Sequence, residues 1–453
     1  MLQYFYLNIT PNNLRFKQKI IKKKKEKNFS SCAPCCVPTF NRSCTYVFEP
    51  IVFTNSRNNA TTSLGHHHPS PPSAKSMSLK QLDGSQLPVS TADLAPNIPQ
   101  ELIIDILLRL PARSVGKFRC VSKPWRSLLS DPLFIKAHLT LHHHQPQNYI
   151  LISSSLPTEK SSLSTLTFTP TGTADHDGVL KRLRLLENRL TDADIVGSCN
   201  GLVLVSEFKM KHPFRRLSNL DFMYYLINPT TMELVELPAN PLAPVALPIG
   251  GAFGYDRSSD DYKVVTLSNC ERVTNDVHLD VFSLRSGTWR RIDVLRYRLH
   301  FLSGVFLNGA IHWLVKSDVS LILAFDLSCE ELKLLPLPSS RPENCLFSRI
   351  AVLDGCLTMV ATMGYCIDVW MMKEYGVEES WTKFSVTTQN YAALPLPICL
   401  LGDDDLVLYV NQKLVVHSLT GETRRDMLFA GDKFRDVKAF CESLVSPICY
   451  CQK

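Results

Sequence analysis

Apolar and polar positions fall into contrasting regimes along the chain. From residue 96 to 141 the spacing is helical. The run Leu102 to Leu110 is interrupted only by Asp105 and Arg109. A surface helix normally shows a single apolar stripe, so this one carries more apolar surface than its own neighbours need. Pro99, Gln100 and Glu101 suit its first turn, and Pro111 stops it after Leu110. Ser114 is the expected cap of a second short helix, with Val115, Phe118 and Val121 at three-residue steps. Ser122 is the expected cap of a third, with Pro124 early in it and Trp125, Leu128 and Leu129 on its inner side. Asp131-Pro132 opens a fourth, carrying Leu133, Phe134 and Ile135. Gly116 is a poor residue inside the second helix, costing about 1 kcal/mol against alanine.

From residue 148 onward the pattern changes to short apolar runs bounded by Gly, Pro, Asn, Asp or Ser, which read as strands. "GLVLVS", "YYLINP", "YKVVTL", "LDVFSL", "AIHWLV", "LILAFDL", "IAVLDG", "LVLYV" and "LVVHSL" are each strand-length. Aligning them exposes a repeat of apolar strand, polar turn and mixed strand. Asn228, Ser283, Asp326, Met371 and Ser418 take the turn position, at spacings of 55, 43, 45 and 47 residues. That period suits a four-stranded propeller blade, and the length allows about six blades. The stretch before Asn200-Gly201 is the least regular. Trp289 and Trp381 hold similar places in their repeats and read as packing anchors. The fold class expected is therefore α+β: a small helical domain (96–141), then an all-β, propeller-like domain (148–453).

Residues 1–95 show little apolar periodicity and read as a disordered tail rich in Pro, Ser and basic residues. Charge sharpens this division. The net charge is +7, but the first 95 residues hold 12 Lys and Arg against 4 Asp and Glu. The rest is balanced, 37 basic against 38 acidic, so the body carries no electrostatic footprint for nucleic acid. The run Lys22 to Lys27 is a nuclear import signal or, preferred, a solvated charge run. Met77 offers an alternative start. The 15 cysteines, in a long chain without a secretory signal, read as reduced thiols. Cys32, Cys35, Cys36 and Cys44 lack a second pair at zinc-finger spacing, so no metal or cofactor is expected. The stretch Cys356 to Met372 is broken by Gly364 and Asp368 and reads as two strands, short of a membrane span. A cytoplasmic or nuclear protein is expected, with no membrane partner.

The helical segment resembles an F-box. It stands as Ile98-Pro99-Gln100-Glu101, the helix Leu102 to Leu110, Pro111, then Phe118-Arg119-Cys120-Val121-Ser122-Lys123 and Trp125. Ile98 replaces the usual Leu, and Val115-Gly116-Lys117 stands where that family usually has leucines, so Gly116 is expected to weaken partner binding. The β region resembles the plant F-box-associated interaction domain, through "SCNGLVLV", "INPTTMELVELP", "FGYDRSSDDYKVV", "VFSLRSGTWRRI", "GVFLNGAIHWL" and "ILAFDLSCEELKLLPLP". Kelch repeats carry a diglycine per blade; only Gly250-Gly251 occurs here.

The resemblance implies a substrate receptor of an SCF-type ubiquitin ligase. It would dock a Skp-type adaptor, and through it a cullin, by Pro99, Glu101, Leu102, Ile106, Leu107, Leu110, Pro111, Cys120, Val121 and Trp125. The β domain would bind an unidentified target protein, and no catalytic residue is expected. The rivals are an F-box scaffold outside a ligase, and a propeller hydrolase using paired carboxylates such as Asp260-Asp261 or Asp403-Asp404-Asp405, runs that more often mark solvated turns. The segment Asn240 to Gly251 is a recognition loop or a buried connector. His278, His300 and His312 read as satisfied core or rim histidines, and Cys449 and Cys451 as incidental thiols.

Overall fold

The computed structural model describes residues 99–142 and, within 149–451, all except 155–161, 169–178, 184–192, 211–219, 243–246, 270–276, 296–303, 317–319, 343–346, 364–365, 388–394, 403–404, 420–423 and 427–433. The tail expected at 1–95, with its lysine run and its cysteines, lies outside the described residues, as do Ile98, His300, Asp403 and Asp404.

Four helices open the described chain: α1 (Gln100–Arg109), α2 (Ala112–Phe118), α3 (Lys123–Leu129) and α4 (Pro132–His142). Three of the four starts follow the local chemistry expected of them. Pro99 precedes α1. Ser122 Oγ accepts a hydrogen bond from the Trp125 amide at 3.3 Å and caps α3. Asp131 Oδ1 accepts from the amides of Leu133 and Phe134 at 2.8 and 3.2 Å and caps α4. The second start differs. α2 begins at Ala112, two residues before the cap expected at Ser114. The Pro111 carbonyl already takes the Ser114 and Val115 amides at 2.9 and 3.1 Å, so Ser114 is inside the first turn. Ile104, Leu107, Leu108, Ala112, Val115, Leu128, Leu129 and Phe134 form the helical core, completed by Leu444 from the far end of the chain.

Among the described residues, the β region is built of six four-stranded antiparallel sheets. One contains β1 (Tyr149–Ser154), β2 (Ser162–Thr167) and β3 (Val179–Arg182). The next four follow in chain order: β4 (Ala193–Cys199) to β7 (Glu233–Leu237), with β5 (Leu202–Met210) and β6 (Leu220–Asn228) between; β8 (Leu247–Asp256), β9 (Asp261–Asn269), β10 (Val277–Ser283) and β11 (Thr288–Leu295); β12 (Val305–Leu307), β13 (Ala310–Lys316), β14 (Ser320–Asp326) and β15 (Leu332–Leu335); and β16 (Phe347–Leu353), β17 (Cys356–Met363), β18 (Cys366–Met372) and β19 (Trp381–Thr387). The last has β20 (Leu396–Leu401), β21 (Asp405–Val410), β22 (Lys413–Ser418) and β23 (Arg424–Asp426). The inner strand of the β1–β3 sheet is β24 (Phe434–Phe440), which pairs with β1 from 280 residues later in the chain. Inner strands β4, β8, β12, β16, β20 and β24 neighbour one another in turn, and β20 reaches β24, so the ring closes. Closure by a terminal strand leaves no open sheet edge at the seam.

The repeat now has a physical meaning. Asn228, Ser283, Asp326 and Ser418 end the third strands of their sheets. Asn228 Oδ1 accepts from the Thr230 and Thr231 amides, Asp326 Oδ1 from those of Ser328 and Cys329, and Ser283 Oγ from that of Ser286. Short side-chain acceptors of this kind fix the turn that follows. Met371 is an exception: it lies within β18, paired with Thr382, and the turn comes after it. Asn200-Gly201, Asn308-Gly309 and Asp354-Gly355 all have positive φ and make the two-residue hairpins between first and second strands. The segment Asn240 to Gly251 is not one loop, because residues from Leu247 onward belong to inner strand β8.

Candidate functional site

α1 is apolar on two faces. Ile104, Leu107 and Leu108 face the helical core, whereas Leu102 and Ile106, one turn apart, are 54% and 55% exposed. Val121, just beyond α2, is 65% exposed. Pro99, Glu101, Pro111 and Cys120 are also exposed, and Leu110 and Trp125 are half-buried. Asp105 and Arg109 pair at 3.0 Å along α1. Of the ten residues named from the sequence, Leu107 departs from the expectation: at 2% exposure it is core. Its i+3/i+4 neighbours Ile104 and Leu108 share that inward face, and a partner cannot reach it without opening the domain. Trp125 packs edge-on against Phe118 at 5.8 Å.

Two histidines hold the end of α1. His138 Nε2 donates to the Leu110 carbonyl at 2.8 Å and His142 Nε2 to the Leu108 carbonyl at 3.0 Å, with the rings stacked at 4.3 Å. Carbonyls at a helix C-terminus lack intrahelical donors, so α4 supplies them. Burial pushes the His138 imidazole down to about 4, keeping it neutral.

Gly116 does not face the Leu102 and Ile106 surface. A Cβ there would point at Leu444 Cδ2, 4.0 Å away. The expected cost to partner binding through a lost contact therefore falls instead on the junction with the C-terminal segment.

The other residues weighed from the sequence have structural partners. Trp289 Nε1 donates to the Pro238 carbonyl at 2.9 Å, and Trp381 Nε1 to the Pro336 carbonyl at 3.1 Å. Each outer strand is thus latched to the sheet before it. Asp261 is buried: its carboxylate accepts from Ser283 Oγ at 2.5 Å and the Arg285 amide at 2.9 Å. That corrects the solvated-turn expectation for Asp261, and Asp260 is half-buried and pairs with Arg285 at 3.3 Å. His312 is buried. The Val305 carbonyl can only accept, so Nδ1 carries the proton at 3.3 Å, and Nε2 accepts from the Tyr375 hydroxyl at 2.6 Å. Burial brings His312 down to about 4. His278 lies in β10. Cys449 and Cys451 lie in α5 (Pro447–Cys451). A central cavity of about 140 Å³ is lined by all six inner strands, mostly by apolar residues, with Lys438 its charged side chain. Among the described residues, no group of three or more His, Cys, Asp or Glu is placed to hold a metal ion, and no helix is long and apolar enough to cross a membrane.

A helical domain with exposed apolar residues, carried on a six-bladed propeller, defines the class, and the comparisons agree. Residues 96–136 match the F-box domain, and 183–450 match the F-box associated beta propeller domain. The chain belongs to the plant F-box proteins with a C-terminal F-box-associated propeller. It is 29% identical over 372 residues to the F-box/kelch-repeat protein At3g23880 of Arabidopsis thaliana, covering 78% of this chain and 96% of that one. It is 30% identical over 325 residues to the F-box protein CPR1 of the same plant, covering 63% and 72%. Among solved structures, TolB from Acinetobacter baumannii aligns over 68% of this chain and 71% of that one, at 11% identity and a TM-score of 0.42.

Sequence reading missed the histidine clasp and the use of Leu444. Neither leaves a local signal, since the partners are 28 to 34 residues apart in the clasp and more than 300 at Leu444.

Proposed function

We propose that this chain is the substrate receptor of an SCF-type ubiquitin ligase in the cytoplasm or nucleus. In this reading the F-box docks a Skp-type adaptor through Leu102, Ile106 and Val121. Pro99, Glu101, Leu110, Pro111, Cys120 and Trp125 border that surface, and Leu107 supports it from beneath. The adaptor connects to a cullin. The propeller binds a target protein and raises its effective concentration beside the ubiquitin-charged enzyme. The chain itself performs no covalent step.

The observation that carries the reading is the pair Leu102 and Ile106, large apolar residues more than half exposed on a helix whose opposite face already fills a core. Such residues anchor interfaces when a partner buries them. The helices lie against the propeller rim that carries Asp260, which Lys136 of α4 reaches at 3.7 Å. The target is assigned to the opposite rim, toward which β5 and β7 run.

The test is capture of a purified Skp-type adaptor by the full chain and by a Leu102→Asp, Ile106→Asp double variant. These positions are exposed, so the variant keeps its fold by circular dichroism. Capture is expected for the wild type, with at least a roughly hundredfold loss in the variant, since hot-spot residues cost about 2 kcal/mol or more each. A folded wild type that captures no adaptor would move the chain to the rival role, an F-box interaction protein outside a ligase.

A further inference from the structure

The residues after β24 run between the helices and the propeller and belong to both. Leu444, 1% exposed, completes the helical core. Val445, the next residue, is buried in the propeller cluster of Leu204, Leu226, Phe253 and Phe282. Asn228, buried at the end of β6, donates from Nδ2 to the carbonyls of Ser443 and Val445 at 3.1 and 2.7 Å. From the helical side, Arg119 donates to the Leu129 carbonyl at 2.9 Å and reaches that of Leu444 at 3.4 Å. Arg113 pairs with Glu442. Gly201 leaves no room for a Cβ beside Ser443. Tyr450 in α5 packs edge-on against Tyr262 at 4.8 Å. Ile135 and Leu139 of α4 reach the same propeller cluster as Val445.

We infer that residues 441–451 are a coupling strap that makes the docking helices conditional on the closed propeller and holds them in one orientation relative to it. This inference rests on the proposed docking role for its consequence but not for its test. The strap follows directly on the strand that closes the ring, so the helical core gains Leu444 only once β24 has paired with β1. Leu444, Asn228 and Arg119 are positioning residues: the first two are buried and Arg119 is half-buried with its guanidinium on the Leu129 and Leu444 carbonyls, and each sets the population of helices competent to bind an adaptor. An affinity measured for a state that is only fractionally populated weakens by that fraction.

The experiment is amide hydrogen exchange on the full chain, wild type against Leu444→Ala and Asn228→Ala. Asn228 lies in the propeller, so an effect on the helices must pass through the strap. Roughly tenfold faster exchange is expected across α1–α4 in both variants, with β16–β22 unchanged, because exchange reports local opening. Adaptor affinity should fall by the same factor. If Leu444→Ala proves too damaging, Leu444→Val should give a smaller effect of the same pattern. Helices that exchange at the wild-type rate in the folded variants would overturn the inference. A wild type that binds no adaptor would remove the docking role and leave the exchange result to decide on the strap.

Discussion

Ile106 and Leu107 are adjacent, both aliphatic and on one helix, and they answer to different constraints. Leu107 is enclosed in the core that α1–α4 form with Leu444, whereas Ile106 is more than half exposed. Truncating a buried leucine removes transfer energy and leaves a cavity, at about 2–5 kcal/mol. Truncating an exposed side chain usually changes stability by less than about 0.5 kcal/mol. Leu107→Ala should therefore lower the urea midpoint of the isolated protein strongly, while Ile106→Ala leaves it nearly in place and weakens adaptor capture. A reversed ranking would mean that α1 is rotated from the orientation described. The period of the apolar residues shows that α1 has excess apolar surface. It does not say which leucine is covered, because that depends on the azimuth at which α4 and Leu444 pack.

At the scale of an element, the hairpin turns separate local from tertiary cost. Gly309 and Gly201 have nearly the same φ, +79° and +77°. A Cβ at Gly309 meets nothing within 4 Å, whereas one at Gly201 collides with Ser443 Oγ and Cβ and the Cys441 carbonyl. Gly309→Ala should cost only the left-handed backbone penalty, about 1 kcal/mol. Gly201→Ala should cost distinctly more and, through Ser443, loosen α1–α4 as well. Thermal denaturation of the two variants, followed by near-UV circular dichroism, measures both; equal losses would argue against close packing of the strap on this turn. Both Asn-Gly pairs are recognisable in sequence as turns, since only a few residues tolerate that conformation. The strap behind one of them is not.

For the whole molecule, pH reports how far helices and propeller unfold together. His138 in the helices and His312 in the propeller are both held near 4 by burial, below the ordinary 6.5. Between those values the unfolded chain binds protons that the folded chain refuses, so stability must fall as pH drops from about 6.5 toward 4. Asp194 acts the other way. Burial and the nearby Asp436 raise it to about 6, so it takes its proton first in the folded state and recovers part of the loss as pH falls through 6. Burial raises Asp436 as well, which works in the same direction as Asp194, so the histidine contribution to the fall between pH 7 and pH 4.5 is read by difference in the urea midpoint. His138→Gln and His312→Gln should each flatten that dependence. If the strap couples the domains, helix and strand signals will lose stability together along the pH series; separate midpoints would show two independent units.

The chain's own pattern was enough to establish the helical segment, the strand repeat, its period and a length for about six blades, because each rests on contacts between residues near in sequence: caps, two-residue turns and alternating apolar positions. The structure fixes the number at six among the described residues. Four of the five turn markers fell at the ends of third strands, and Met371 missed by one pairing because its turn carries no short capping side chain in register. The irregular first blade is the exception, since its inner strand is supplied from the other end of the chain. Only the tertiary structure decided that β24 closes the ring, that Leu444 finishes the F-box core and that Leu107 is covered while Leu102 and Ile106 are not. Those contacts join residues hundreds of positions apart, and burial is a property of what packs from outside an element, which no local period encodes.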